Sequence, residues 1–327
     1  AEEFLQQQAI GKKTFGGIKQ VPPELDVRRS VARAMAPALR GFFASGSARN
    51  RLILRFDDSQ DILDFAGSRR AKELVEAGAA TPDHLLNTKR NALLVEVPDP
   101  LDIDQVRTAL EEGILRYEQA YVRWFRQHVE GETEMLDPYP RVILVPGLGM
   151  WTTGYDIRLA TITADIFHHT IAIMKGALGV DNYVTLSLKE AYEAEYWPLE
   201  LYKLSLLSPE RELSRRIALI TGAARGIGLS VARRLVAEGA HLVLTDVDIE
   251  GVEALAAQLN EEYGAGRCIA VGHDVSSEEG TKAAFRSAVD AFGGLDILVS
   301  NAGIALTGAL DQLELEDWER SFKVNAT

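Results

Sequence analysis

Short apolar runs alternate with amphipathic stretches over the last third of the chain. Arg216 to Thr221, His241 to Asp246, Arg267 to Gly272 and Leu295 to Val299 read as strands. Between them, Gly226 to Glu238, Ile249 to Tyr263 and Glu278 to Phe292 carry apolar residues at helical spacing, and a further helix starts at Glu314. Apolar strands bracketed by amphipathic helices predict a parallel sheet covered on both faces and joined by right-handed crossovers. The expected fold class is α/β, a Rossmann-type doubly wound parallel sheet with strand order 3-2-1-4. Its ligand crevice falls between the first and fourth strands.

Upstream the pattern is less regular and predicts a helix-rich α/β segment. Val27, Val31, Ala34, Met35 and Leu39 recur at helical spacing from Glu24 to Phe43, despite Pro37, and Gly46-Ser47 closes that helix. A strand follows at Arg51 to Phe56, then a short helix from Asp61 to Phe65 with Ser59 as its cap. Thr81-Pro82-Asp83-His84 has the form of a helix start, a cap followed by proline in the first turn. Asn91 to Val97 reads as a strand and Asp102 to Val129 as a long helix, with Val106, Leu110, Ile114, Tyr117, Tyr121 and Phe125 along one face. A third strand, Arg141 to Val145, ends in Pro146-Gly147-Leu148-Gly149, with a helix expected from Tyr155 to Lys175, a second strand, glycine loop and helix unit that offers amides to an anion. Glu190 to Leu206, rich in aromatics and leucine, suits either packing or a subunit contact, which leaves a homo-oligomer open. The polar break Ser208-Pro209-Glu210-Arg211-Glu212 divides the expected domains, 1–207 and 213–327. Residues 1 to 22 read as a helical remnant and connector, and both ends look cut, each inside a helix.

The chemistry concentrates at Thr221-Gly222-Ala223-Ala224-Arg225-Gly226-Ile227-Gly228. A strand that stops at a glycine turn and opens into a helix gathers free N–H groups and a positive dipole end at one spot, which suits a pyrophosphate. Gly222 provides the sharp exit, Gly226 removes a Cβ where backbone approaches phosphate, and Gly228 permits close helix packing. Asp246 ends the second strand about 20 residues on, where an adenosine ribose would lie. Its carboxylate accepts from both ribose hydroxyls and repels a 2′-phosphate, favouring NAD over NADP; Arg225 pulls the other way and weighs less.

A second cluster, His84, Asn87, Thr88, Lys89 and Arg90, holds groups able to grip a phosphorylated sugar, although a capped surface helix with solvated cations accounts for it as well. His168-His169 points two ways on one helix and is no chelating pair, and no other spacing suggests a metal.

A formal charge of −13 and pI near 5.0 over 327 residues argue against nucleic acid or an anionic membrane as partners. A single cysteine, Cys268, permits no intrachain disulfide and suits a reducing compartment, so a cytoplasmic protein is expected. No apolar run approaches the roughly 20 residues of a membrane helix, and the first residues lack the pattern of a secretion signal.

From residue 216 onward the chain resembles the first half of a short-chain dehydrogenase/reductase. The glycine motif agrees, as do Asp274-Val275 after the third strand, Ser300-Asn301-Ala302-Gly303 after the fourth, and Val324-Asn325. The resemblance implies that Gly222, Arg225, Gly226, Ile227, Gly228 and Asp246 bind cofactor. It implies the same for Asp274, Val275, Asn301, Ala302 and Gly303, and makes Asn325 the asparagine of the catalytic tetrad. That family also uses a Tyr-x-x-x-Lys pair, in which tyrosine moves the hydroxyl proton and lysine lowers its pKa. No tyrosine here has a lysine four places on, and Tyr263 with Arg267 is the nearest miss. Together with Thr81-Pro82-Asp83-His84, Pro146-Gly147-Leu148-Gly149 and Glu195-Tyr196-Trp197-Pro198-Leu199-Glu200, the whole resembles bifunctional rhamnulose-1-phosphate aldolase/short-chain dehydrogenase proteins. The resemblance implies a fragment of an NAD-dependent oxidoreductase fused to a zinc-dependent sugar-phosphate aldolase whose histidine ligands are not in this chain. It would act on a small hydroxy or carbonyl compound such as lactaldehyde. A non-catalytic dinucleotide-binding or scaffolding module is the alternative.

Overall fold

A computed structural model describes residues 7, 12, 14–44, 51–206 and 209–326. The helical remnant expected at residues 1–6, the Gly46-Ser47 helix stop and Ser208 of the polar break lie outside the described residues. Two compact units form, Ala1–Tyr155 with Leu159–Pro209, and Asp156–Arg158 with Glu210–Thr327.

The first unit contains α1 (Leu25–Ala44), β1 (Ile53–Asp57), α2 (Gln60–Ala66), α3 (Ala71–Ala77), α4 (Pro82–Thr88) and β2 (Leu93–Leu94). It continues through α5 (Ile103–His128), β3 (Val142–Val145), β4 (Gly149–Gly154), α6 (Ile157–Val180), α7 (Leu188–Glu195) and α8 (Pro198–Ser205). Its sheet has the order β1-β4-β3-β2, antiparallel except for the β2–β3 pair. One face of that sheet, with Val142, Leu144 and Met150, meets Ile62 and Phe65 of α2 and Phe167, Ile171 and Met174 of α6. Helix α1 packs against α5. Pro37 sits inside α1 without ending it.

The structure departs from four expectations here. Gly149–Gly154 is a fully buried strand, so Pro146-Gly147-Leu148-Gly149 closes a β3–β4 hairpin rather than opening a helix. Leu148 is buried, and a Cβ on Gly147 would meet Pro100 at 3.2 Å. The strand expected over Asn91 to Val97 shrinks to two paired residues. Glu190 to Leu206 is two helices, broken at Tyr196-Trp197, because the residue before a proline is driven out of helical geometry. Ser59 stands at the N-cap of α2, but its side chain makes no capping bond.

The second unit contains β5 (Ile217–Thr221), α9 (Gly226–Ala237), β6 (His241–Asp246), α10 (Ile249–Tyr263), β7 (Cys268–Gly272), α11 (Glu278–Phe292), β8 (Ile297–Val299) and α12 (Leu315–Asn325). All pairs in its sheet are parallel and the order is β7-β6-β5-β8, the anticipated 3-2-1-4. Strands β5 and β6 are almost wholly buried, and Ala218, Ile220, Leu242 and Leu244 form one core with Val236 of α9 and Val252, Leu255 and Leu259 of α10. The strand order reverses between β5 and β8, which opens a crevice at the carboxyl ends of both strands.

Candidate dinucleotide site

At the end of β5 the backbone turns through Gly222, whose φ of +67° lies in the region open chiefly to glycine. A Cβ there would stand 2.9 Å from Ala302 Cα. Gly228 is more constrained still, since its Cβ would fall 2.1 Å from Gly222 O. Gly226 differs: its φ is +60°, yet nothing lies within 4 Å of a built Cβ, so its bare face opens outward. These glycines start α9, whose first-turn amides have no intrahelical acceptor and point out of the helix end.

Asp246 reaches this turn directly. Its Oδ2 accepts from the Ala224 N–H at 3.1 Å and its Oδ1 from the Asp248 N–H at 3.1 Å, leaving further lone pairs on both oxygens. The turn is also tied to β6 through Ala223 N–H and Thr245 O at 3.0 Å. On the other side, Thr221 Oγ1 accepts from the N–H groups of Asn301 and Ala302, each at 3.0 Å. The Asn301 amide donates to the carbonyls of Thr221 at 2.9 Å and Gly222 at 3.1 Å. Asn301 thus fastens the chain leaving β8 to the glycine turn leaving β5.

Asn325, the last residue of α12, accepts from the Ile304 N–H at 3.0 Å and donates to the Ile304 carbonyl at 2.9 Å. Both ends of its amide therefore tether α12 to the 301–304 segment. Asp274 accepts from Ser276 N at 2.9 Å and Ser276 Oγ at 2.7 Å, and these bonds, with Lys323 nearby, hold its pKa below the usual carboxylate value.

These pieces surround one cavity of about 660 Å³, lined among others by Gly222, Arg225, Asp246, Asp274, Val275, Asn301, Ala302 and Gly303. Gly226, Ile227 and Gly228 do not line it; Ile227 is 76% exposed at the start of α9, and Gly228 lies buried beneath the turn. Asn325 is likewise absent from the wall, where its neighbour Val324 stands. Sequence reasoning missed Thr221 and His273, as well as the α12 row Glu316, Glu319, Arg320 and Lys323 that faces the cavity. Thr221 opens the glycine motif and His273 precedes Asp274, so adjacency to recognised residues was the available signal. The cavity has the glycine turn at Gly222, Arg225 at the N-cap of α9 and the Asp246 carboxylate at the adjacent strand tip in its wall, and the outward-facing Gly226 follows Arg225 directly.

The second cluster behaves differently. His84, Thr88 and Lys89 are buried, and their polar atoms are already engaged within the first unit. His84 Nδ1 bonds Thr170 Oγ1 at 2.7 Å, and Lys89 Nζ donates to Glu195 Oε1 at 2.6 Å and Tyr121 OH at 3.0 Å. Asn87 donates to Asp83 O and Arg90 to Asn91 and Ala77. His84, Lys89 and Arg90 thus tie this segment to α6, α5, α7 and α3, while Asn87 and Thr88 bond locally, within or just past α4. His168 bonds Asp57 and Asp61, whereas His169 faces His84, so the two histidines diverge as expected. Among the described residues no group of three or more His, Cys, Asp or Glu side chains has metal-holding geometry, and no helix is long and apolar enough to cross a membrane.

Comparison with known proteins agrees with this division. Residues 30–204 match the family described as aldolase class II, second domain, and residues 216–327 match short chain dehydrogenase. An uncharacterized oxidoreductase of Bacillus subtilis, YuxG, is 38% identical over 328 residues, covering 100% of this chain and 47% of that protein. The D-threitol dehydrogenase of Mycolicibacterium smegmatis is 40% identical over 113 residues, 35% of this chain and 43% of its own length. The chain thus spans about half the length of the first of these relatives. Among solved structures, a 3-ketoacyl-(acyl-carrier-protein) reductase from Brucella melitensis complexed with NADH is 37% identical over 34% of this chain and 44% of that one, with a TM-score of 0.32. The chain belongs to the aldolase class II second-domain family through residues 30–204, and continues from residue 216 as a short-chain dehydrogenase domain.

Proposed function

We propose that the second unit binds NAD and that the chain is part of an NAD-dependent oxidoreductase fused to a sugar-phosphate aldolase of the rhamnulose-1-phosphate type. The observation that carries this reading is the Asp246 carboxylate bonded to the glycine turn and facing the same cavity as Asp274 and Asn301. In the bound state the α9 amides would hold the pyrophosphate, Asp246 the adenosine ribose, and Asp274-Val275 the adenine. NAD supplies hydride transfer when bound. Asn325 would support a proton relay to a small hydroxy or carbonyl compound such as lactaldehyde. Asp246 favours NAD because a second anion beside it, on the ribose 2′-position, is repelled at short range. Arg225, exposed at the cavity edge, offsets this in part.

Titration of the chain with NADH and NADPH, followed by calorimetry or nicotinamide fluorescence, tests this. NADH should bind more tightly than NADPH, and Asp246→Ala should weaken NADH by roughly tenfold or more through lost charge-assisted hydrogen bonds. Absence of NADH binding, or equal binding after Asp246→Ala, would reject the cofactor assignment. A non-catalytic dinucleotide-binding module is the second reading. Under that reading NADH binds normally and no hydride exchange with aldehydes or alcohols accompanies it.

A further inference from the structure

His273 lines the dinucleotide cavity yet is only 5% exposed, so it forms part of the floor and not an open ligand contact. Just past the end of β7, it bonds both β6 and α11. Its backbone N–H donates to the carbonyl of Asp246 at 2.9 Å. Its Nδ1 lies 3.1 Å from Thr245 Oγ1, on the residue just before Asp246, and its Nε2 lies 3.0 Å from Thr281 Oγ1 in the first turn of α11. Thr245 in turn donates its hydroxyl proton to Ile220 O of β5 at 3.3 Å. That proton being committed, Thr245 accepts from His273, which puts the ring proton on Nδ1 and leaves Nε2 to accept from Thr281. Burial holds the ring's pKa below the ordinary histidine value, in keeping with a neutral imidazole that donates once and accepts once.

The residues on either side of this knot are the two acids of the site. Asp246 follows Thr245 directly, and Asp274 follows His273 directly. Any shift of the ring therefore moves both strand ends at once. We propose that His273 is a positioning residue for the adenosine half of the cofactor: it locks the β6 tip carrying Asp246 to the β7 exit carrying Asp274, and so sets the discrimination against a 2′-phosphate. This rests on the cofactor reading above. Discrimination needs a carboxylate held at a fixed distance from the 2′-position, since a carboxylate free to swing away can admit a phosphate that Arg225 then neutralises.

The ratio of NADPH to NADH dissociation constants, measured on the full chain, separates positioning from general weakening. His273→Ala should lower that ratio by roughly tenfold, the scale of one or two lost hydrogen bonds. His273→Asn, which retains a donor near the Nδ1 position for Thr245, should restore most of it. As a control, Val236→Ala, in the core under α9, should reduce stability and leave the ratio unchanged. Wild-type binding with an unaltered ratio in His273→Ala overturns this inference and leaves the cofactor assignment standing. Failure of the wild-type chain to bind either dinucleotide removes both. Should His273→Ala not fold, Thr281→Val supplies the second arm, because it deletes only the Nε2 partner, and an unchanged ratio there also counts against the proposal.

Discussion

At Gly228 the room for a side chain is gone: a methyl group would sit 2.1 Å from the Gly222 carbonyl and 2.7 Å from the Asn301 amide nitrogen. Both neighbours are fixed, the first as backbone and the second by its bonds to Thr221 and Gly222, so neither can yield cheaply. Gly228→Ala is expected to destabilise the second unit by about 2 kcal/mol or more through overpacking and to abolish NADH binding. Urea unfolding with a parallel NADH titration checks it. Gly226→Ala should behave differently, losing binding with a smaller stability cost, since its strain is confined to a positive φ with open space beyond. The glycine pattern alone located this turn. It also gave Gly228 to close helix packing and Gly226 to an open approach, but not the atoms that crowd Gly228, because those depend on where residue 301 returns in space. The role of Thr221, read only as the first residue of the motif, was hidden for the same reason: its bonding partners lie about 80 positions away in the chain.

Among the elements, β1, α2 and α6 are joined by a single histidine. His168 Nε2 meets Asp57 Oδ2 at 3.0 Å and its Nδ1 meets Asp61 Oδ2 at 2.5 Å, while Arg55 pairs with Asp57 at 3.2 Å. The bond to Asp57 comes first among the causes that push the His168 pKa up to about 9, and the bond from His168 holds Asp57 well below the usual carboxylate range. A histidine whose folded pKa is raised contributes stability that is complete below its unfolded pKa near 6.5 and is lost as pH rises through about 9. The lowered carboxylates contribute in the opposite sense, and their share is lost as pH falls below about 4. The three-element clamp therefore works fully between about pH 4.5 and 6.5. His168→Ala should cost on the order of 1–2 kcal/mol at pH 6, after solvent screening of a partly exposed group, and close to nothing at pH 10. Denaturant midpoints of both proteins at the two pH values measure it; a pH-independent difference would show that His168 acts by packing alone. The clamp was invisible in the one-dimensional pattern, where His168 and His169 stood only as a pair that could not chelate. Strand β4 was missed for a related cause: Gly149-Met150-Trp151-Thr152-Thr153-Gly154 has few aliphatic residues and follows a glycine turn, yet lies between β1 and β3 with every residue buried.

On the scale of the whole molecule, the two units use their charged groups for different ends. In the first, Lys89 is enclosed with Glu195, Tyr121 and Tyr196, and Lys89 itself holds a φ of +62°. The Glu195 Oε2 atom is buried without a partner, so this knot has no slack for a second loss. Lys89→Met should destabilise the first unit by about 3–5 kcal/mol, the cost of leaving one member of a buried pair behind. The NADH dissociation constant of the folded protein should stay within about twofold, since residues with no shared partners combine additively. Thermal unfolding and NADH titration of the same samples decide this. A large change in NADH affinity would show that the Lys89 knot and the dinucleotide cavity are energetically coupled.

The amino-acid order alone determined the second unit's class, its strand order and the glycine turn proposed to receive a dinucleotide. Those depend on local periodicity and on glycines required by nearby backbone, and such information lies within some thirty residues of chain. Which groups line the cavity was decided in three dimensions. So were the engagement of His84 and Lys89 with other side chains of their own unit, the seating of His273 between β6 and α11, and the tether from Asn325 to Ile304. Each depends on partners brought together by packing, and no spacing along the chain encodes a contact that only the folded sheet creates.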